Sequence, residues 1–143
     1  MKINIKFFDC LPDDSKMIRE KVFVVEQGFT EEFDTVDSDA VHFVAYDEGG
    51  TPIGTCRIFK KESDEIFYLG RLAVIKEYRK SGIGRLLLSA AEAKALSDGA
   101  EYIYLHSQLQ AVRFYQKCGY REFGEIELEE GCPHIWMKKL LNQ

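Results

Sequence analysis

The stretch from Arg71 to Ala95, RLAVIKEYRKSGIGRLLLSAAEAKA, limits what this chain can fold into more than any other. Arg71 to Ile75 has the apolar, β-branched composition of a strand, and the last third has helical periodicity. Between them, Tyr78-Arg79-Lys80-Ser81-Gly82-Ile83-Gly84-Arg85 sets two glycines, a hydroxyl and three cations in a strand-to-helix connection. Glycine lets the backbone take positive φ and approach a ligand closely, so several N–H groups can converge on one point. The first turn of the following helix adds unpaired N–H groups and a partial positive charge. The loop is therefore expected to wrap an anion, with Arg79, Lys80 and Arg85 supplying full charge for a phosphate.

The helix is well specified. Ile83, Leu87, Ala91 and Ala95 recur four residues apart with Leu88 and Ala90 beside them, while Arg85, Ser89 and Glu92 are expected on a wet face. Gly99 stands where a C-terminal cap is expected. A nucleotide P-loop would need G-x-x-x-x-G-K-[ST], and Gly82-Ile83-Gly84-Arg85 has neither the spacing nor the Lys-Ser/Thr pair. A dinucleotide fingerprint would need a third glycine where Leu87 stands.

Along the chain, Lys2 to Phe8 alternates as a half-buried strand, and Met17, Ile18, Val22 and Val25 make a helical stripe that the β-branched run before Gly28 is expected to bend. Thr30 to Ala40, with Glu31, Glu32, Asp34, Asp37 and Asp39, reads as a loop or short irregular helix, either a solvated surface or a funnel for an amine. Val41–Tyr46, Ile53–Phe59 and Ile66–Val74 form an antiparallel meander feeding the glycine loop. Glu101–His106 returns as a parallel strand after the crossing helix. Gln108–Cys118 is a second helix ended by Gly119, and Tyr120–Phe123 and His134–Leu140 are the last strands, with Glu125, Glu127, Glu129 and Glu130 in the connection.

At 143 residues and 45% hydrophobic, the chain is expected to form a single domain over residues 1–143. No apolar run reaches the roughly 18 residues a bilayer span needs, and no secretion signal is legible, so a cytoplasmic location and no membrane partner are expected. Four scattered cysteines without a C-x-x-C pair suit reduced thiols, and the Cys132-Pro133-His134 group lacks the neighbours of a metal or thiol-nucleophile site. A net charge of -5 argues against nucleic acid.

R-x-x-G-x-G directly after Leu72-Ala73-Val74 resembles the acetyl-CoA pyrophosphate loop of the GNAT N-acetyltransferase family. Gln108-Leu109-Gln110-Ala111-Val112-Arg113-Phe114-Tyr115-Gln116-Lys117-Cys118-Gly119-Tyr120 resembles the family's second signature, with Gln108 where Asn is commoner. VFVVEQG near the start and GCPHI near the end are similar to the small bacterial ElaA-like or YjcF-like subgroup, so the resemblance covers essentially the whole chain.

It implies an α/β (α+β) GNAT fold, with a mixed central sheet, splayed parallel strands and flanking helices. It further implies an acetyl-CoA-dependent N-acetyltransferase whose cofactor lies in a V-shaped gap between the strands ending at Val74 and near His106. Leu72, Ala73 and Val74 would hold the pantetheine arm; Arg79, Lys80, Ser81, Gly82, Ile83, Gly84 and Arg85 the pyrophosphate; Gln108 and Lys117 also fall on the cofactor side. Tyr115 occupies the family's position for the acid that protonates the leaving thiolate. A phenol near pKa ~10 stays protonated where a thiol near pKa ~8.5 begins to ionise, which suits that role. The attacking amine must lose a proton, and the oxyanion needs a donor such as the Val74 N–H. Many relatives carry a carboxylate before the loop, where this chain has Tyr68-Leu69-Gly70-Arg71, so Glu26, His106 and His134 remain as candidate bases or acceptor contacts, and Arg57 and Gln27 as orienting groups. The acceptor is expected to be a small-molecule or protein amine, a homodimer is compatible with the chain, and the rivals are a non-catalytic acyl-CoA sensor and a partner-binding scaffold.

Overall fold

The computed structural model describes residues 2–29 and 34–141; Thr30, Glu31, Glu32 and Phe33 of the acidic segment lie outside the described residues. Among the described residues seven strands form one mixed sheet: β1 (Asn4–Phe8), β2 (Val41–Tyr46), β3 (Pro52–Lys60), β4 (Ile66–Val74), β5 (Tyr102–Gln108), β6 (Arg121–Glu129) and β7 (Cys132–Leu140), in the order β1-β2-β3-β4-β5-β7-β6. β1 to β4 pair antiparallel, β4 and β5 pair parallel, and β7 pairs antiparallel with both β5 and β6. The parallel step follows from the crossing helix α2 (Ile83–Ser97), since a parallel neighbour cannot be reached by a hairpin.

The two sheet faces are covered by different helices. On one face α2 buries Ile83, Leu87, Leu88, Ala91 and Ala95 against Phe43, Cys56, Ile58, Leu105 and Met137. Ile83, Leu87 and Leu88 contribute roughly 1.5–3 kcal/mol each in transfer terms. On the other face α1 (Asp13–Arg19) and its continuation set Ile18 and Val22 on Val44, Ala73 and Ile75. Gly54 lets α2 approach: a Cβ there would meet Leu87 Cδ1 at 2.9 Å.

Several elements differ from their sequence-based outlines. The expected bend after Arg19 is a π-helical run, Glu20–Glu26, where Val22, Val24 and Val25 crowd regular α-helical turns. The second helix is shorter: a 3-10 turn, Leu109–Ala111, precedes α3 (Val112–Lys117). β6 runs on to Glu129, so Glu125, Glu127 and Glu129 are strand residues rather than connection. Glu92 is not on a wet face; it accepts hydrogen bonds from Tyr120 Oη (2.8 Å) and Lys139 Nζ (2.9 Å) across to the sheet edge. Tyr120 and Lys139 come from distant sequence, so helical periodicity could not reveal this. Among the described residues no helix is long and apolar enough to cross a membrane.

Candidate active site

The site begins where two strands part. β4 and β5 pair from Ile66↔Tyr102 to Leu69↔Leu105 and no further, whereas β5 stays on β7 through His106↔Trp136 and Gln108↔His134. β4 is turned away by a bulge. Thr55 faces Ala73 and Arg57 faces Gly70, so Arg71 and Leu72 stand against Cys56 alone, and Arg71 takes φ 53°. Ile75 N–H donates to Ile53 O (2.9 Å), so the alternation of an antiparallel ladder turns the N–H and C=O of Val74 away from β3, towards the side β5 has left. That carbonyl accepts from Arg79 Nε at 2.9 Å.

A cleft of 520 Å³ opens on this gap, lined by Leu72 and Val74, the loop from Tyr78 to Arg85, and Ala111, Phe114, Tyr115 and Lys117. Lys80 (φ 68°) and Gly82 (φ 81°) are both left-handed, and no side chain caps α2, so the N–H groups of its first turn keep their capacity for an anion. Gly84 serves packing instead: a Cβ there would lie 3.2 Å from Phe114 Cζ. Tyr115 is buried in the cleft wall beside Tyr120, and burial raises its phenol above the ordinary tyrosine value. Its hydroxyl makes no hydrogen bond among the described residues.

A second cavity, of 390 Å³, lies on the α1 face of the sheet and shares Leu72 with the cleft. Its walls include Phe59, Tyr68 and Trp136, and its far edge carries His106 and His134. His134 is buried and its Nδ1–H donates to Cys132 O (2.8 Å), while Glu129 Oε2 stands 3.5 Å from Nε2. The His106 ring lies between its neighbours, 4.9 Å from His134 and 4.6 Å from Trp136 by ring centroids. Behind the opposite wall is a partly buried ion network. Arg19 and Arg57 both bond Asp37 (2.8 and 2.7 Å), and Arg57 and Arg71 both reach Asp34 (2.7 and 3.2 Å). Burial would raise the Asp37 carboxyl, but hydrogen bonds from Arg19 and Arg57 outweigh it and hold it at about 2.

The structure distributes the expected residues unevenly. Leu72, Val74, Arg79, Lys80, Gly82, Ile83, Gly84, Arg85, Tyr115 and Lys117 share the cleft. Ala73 points into the core and Ser81 is exposed outside the lining. Gln108 sits in the second cavity, bonded to Gln27 at 3.0 Å, because β5 follows β7 rather than β4. Glu26 is clamped by both terminal nitrogens of Arg79 at 2.6 Å; hydrogen bonding to Arg79 lowers its carboxyl pKa. A carboxylate so stabilised is a poor proton acceptor, and Arg79 is turned from the glycine loop toward it. Arg57 is tied to two aspartates rather than free in solution. From sequence Phe114 is legible only as part of the packed stripe of its helix and not as the cleft-lining residue it is, and Gly70 has no periodic signature.

The chain as a whole resembles known proteins. Residues 13–141 match the family described as acetyltransferase (GNAT) domain. The uncharacterised N-acetyltransferase YjcF of Bacillus subtilis is 40% identical over 129 residues, covering 88% of this chain and 90% of that protein. The crystal structure of Escherichia coli ElaA superposes with a TM-score of 0.83 at 26% identity, over 96% of this chain and 99% of that one. An aminoglycoside 6′-N-acetyltransferase complexed with coenzyme A has the same fold, with a TM-score of 0.74 at 19% identity over 98% of each chain. Splayed strands, an uncapped glycine loop and agreement over nine-tenths of the sequence thus lead to one conclusion: the chain belongs to the GNAT acetyltransferase family and is an acetyl-CoA-dependent acyltransferase.

Proposed function

We propose that the chain acts as one N-acetyltransferase domain that moves the acetyl group of acetyl-CoA to a primary amine by direct attack. In this reading the pyrophosphate rests on the N–H groups of Gly82 to Arg85, with Lys80, Arg85 and Lys117 as cations, and the pantetheine arm runs along Leu72 to Val74 as a pseudo-strand in the gap. The acetyl carbon then stands near Leu72, where the cleft and the second cavity meet. That meeting of two cavities at one bulged residue is the observation that carries the proposal.

The chemistry follows from the groups around the junction. An ammonium has no lone pair, so the acceptor first gives one proton to a base; His106 Nε2, in the second cavity, has no hydrogen-bond partner and is the group assigned here. The amine nitrogen bonds to the thioester carbon, and the resulting oxyanion takes the Val74 N–H. Collapse breaks the C–S bond as Tyr115 Oη gives its proton to the leaving sulfur, and the second proton on the nitrogen restores the phenol. Buried and raised, the phenol stays protonated through the neutral range. His134, fixed through Cys132 O, lies tilted against the His106 ring, and Trp136 stacks on that ring, so the two hold it in place.

The test is release of CoA thiol, with acetylated product identified by mass, when the protein meets acetyl-CoA and a panel of amines. Amine-dependent release is expected. Tight CoA binding with no turnover on any amine would replace this reading with that of a sensor.

A further inference from the structure

Among the described residues two buried side-chain nitrogens lack a hydrogen-bond partner, Arg57 Nε and His106 Nε2, and both residues line the second cavity. Folds seldom keep unmatched buried polar groups without a use for them. The two lie on either side of one glycine. Gly70 is the cross-strand partner of Arg57 on β3, and β5, which carries His106, flanks β4 on its other edge. A Cβ at Gly70 would have Arg57 Nε as its nearest neighbour, at 3.8 Å. The missing side chain thus leaves room beside the guanidinium edge, within the lining of the cavity.

The two nitrogens have complementary chemistry. Arg57 Nη1 and Nη2 are engaged by Asp34 and Asp37, so Nε–H is the guanidinium nitrogen left to donate. His106 Nδ1–H donates to Glu129 Oε1 at 3.3 Å, which leaves the lone pair on Nε2; Glu127 Oε1, 3.5 Å away, has no proton to offer it when ionised. A donor and an acceptor, both shielded from bulk solvent, therefore belong to residues that line one cavity. A further cation borders it: Lys61 Nζ lies 4.6 Å from the Tyr68 ring centroid and 6.0 Å from that of Trp136.

We propose that the acceptor is an α-amino acid whose amine addresses His106 Nε2 and whose carboxylate takes the Arg57 Nε–H, with Lys61 adding charge and the apolar side chain resting on Phe59, Tyr68 and Trp136. A carboxylate beside the amine matches the donor–acceptor pair, whereas a simple alkylamine leaves Arg57 Nε unmatched. This inference rests on the N-acetyltransferase reading for what happens to the amine, though not for binding itself.

Trp136 is the sole tryptophan and lines the cavity, so its emission reports occupancy. The protein, with and without CoA, is titrated with L-phenylalanine against 2-phenylethylamine and with L-leucine against 3-methylbutylamine, pairs that differ only in the carboxylate. At least one amino acid is expected to half-saturate the signal at about tenfold lower concentration than its decarboxylated partner. Gly70→Ala, whose methyl fits at 3.8 Å beside Arg57 Nε, is expected to cut that preference below about threefold while CoA affinity and circular dichroism stay unchanged. Equal or tighter binding of the plain amines, a preference unaffected by Gly70→Ala, or no Trp136 response to either amino acid overturns the proposal. Product analysis of the same samples separates the two readings: preference without acetylation removes the enzyme, and acetylation without preference removes the amino acid.

Discussion

At the scale of single residues, the two groups most exposed to test are Tyr115 and Glu26. Tyr115 could have been only a core aromatic, as its packing on Tyr120 and Phe114 would suggest, but it also lines the cleft that the loop and β4 define. Tyr115→Phe keeps the ring and deletes the proton, so kcat should fall by about 10²-fold while the CoA Kd moves less than about twofold. Unchanged turnover in stopped thiol-release assays would remove the acid role. Glu26 makes the opposite prediction. Arg79 already holds its carboxylate and lowers its pKa, so Glu26→Gln should leave the acidic limb of the kcat/KM profile where it stands in the wild type. A shifted limb would return Glu26 to the list of bases.

Among the elements, the loop before α2 was legible because its signal is local: two glycines, a strand before them and a helical stripe after. Its conformation explains why glycine is needed at 82, where φ is 81°, and why it is needed at 84 for a different reason, contact with Phe114. Gly82→Asp adds left-handed strain of roughly 1 kcal/mol and sets a negative charge at the helix N-terminus, so calorimetry should find CoA affinity reduced by at least about a hundredfold. Gly82→Ala carries the strain without the charge and should lose no more than about tenfold. Equal losses would mean that the loop matters through shape alone. The α1 segment was only partly legible: the valines announced a departure from α-helical geometry, but a π-helical run rather than a kink was decided by Val22 seating on Val44 and Ala73.

Over the whole molecule, the ion network of Arg19, Asp37, Arg57, Asp34 and Arg71 ties α1, the turn at Thr35–Ser38, β3 and β4 together behind the second cavity. Asp37 falls from an ordinary 3.8 to about 2, and such a depression adds stability that is fully present above the unfolded value and is lost as pH falls through the folded one. The size is about 2 kcal/mol, so urea midpoints should hold between pH 6 and about 4 and then drop toward pH 2 by more than they do in Asp37→Asn. Asp37→Asn should itself cost about 3–5 kcal/mol at neutral pH, since two buried guanidinium groups lose their shared partner. A cost below about 1 kcal/mol would show that the pairs contribute little to stability.

Taken alone, the sequence determined the meander, the crossing helix, the glycine loop between strand and helix and the family, because each rests on neighbours within a few turns of chain: Leu72-Ala73-Val74 before Gly82, Ile83 before Leu87, Ala111 before Tyr115. What tertiary structure alone decided was which distant residues share a face. The bulge at Arg71 and Leu72 sets the register that leaves Val74 turned to the gap, the pairing of β5 with β7 keeps Gln108 on that side, the packing of α2 at the sheet edge sets Glu92 against Lys139, and adjacent pairings put Arg57 and His106 on either side of Gly70. Pairing register is fixed by the packing of both sheet faces at once, and no stretch of one strand carries that information.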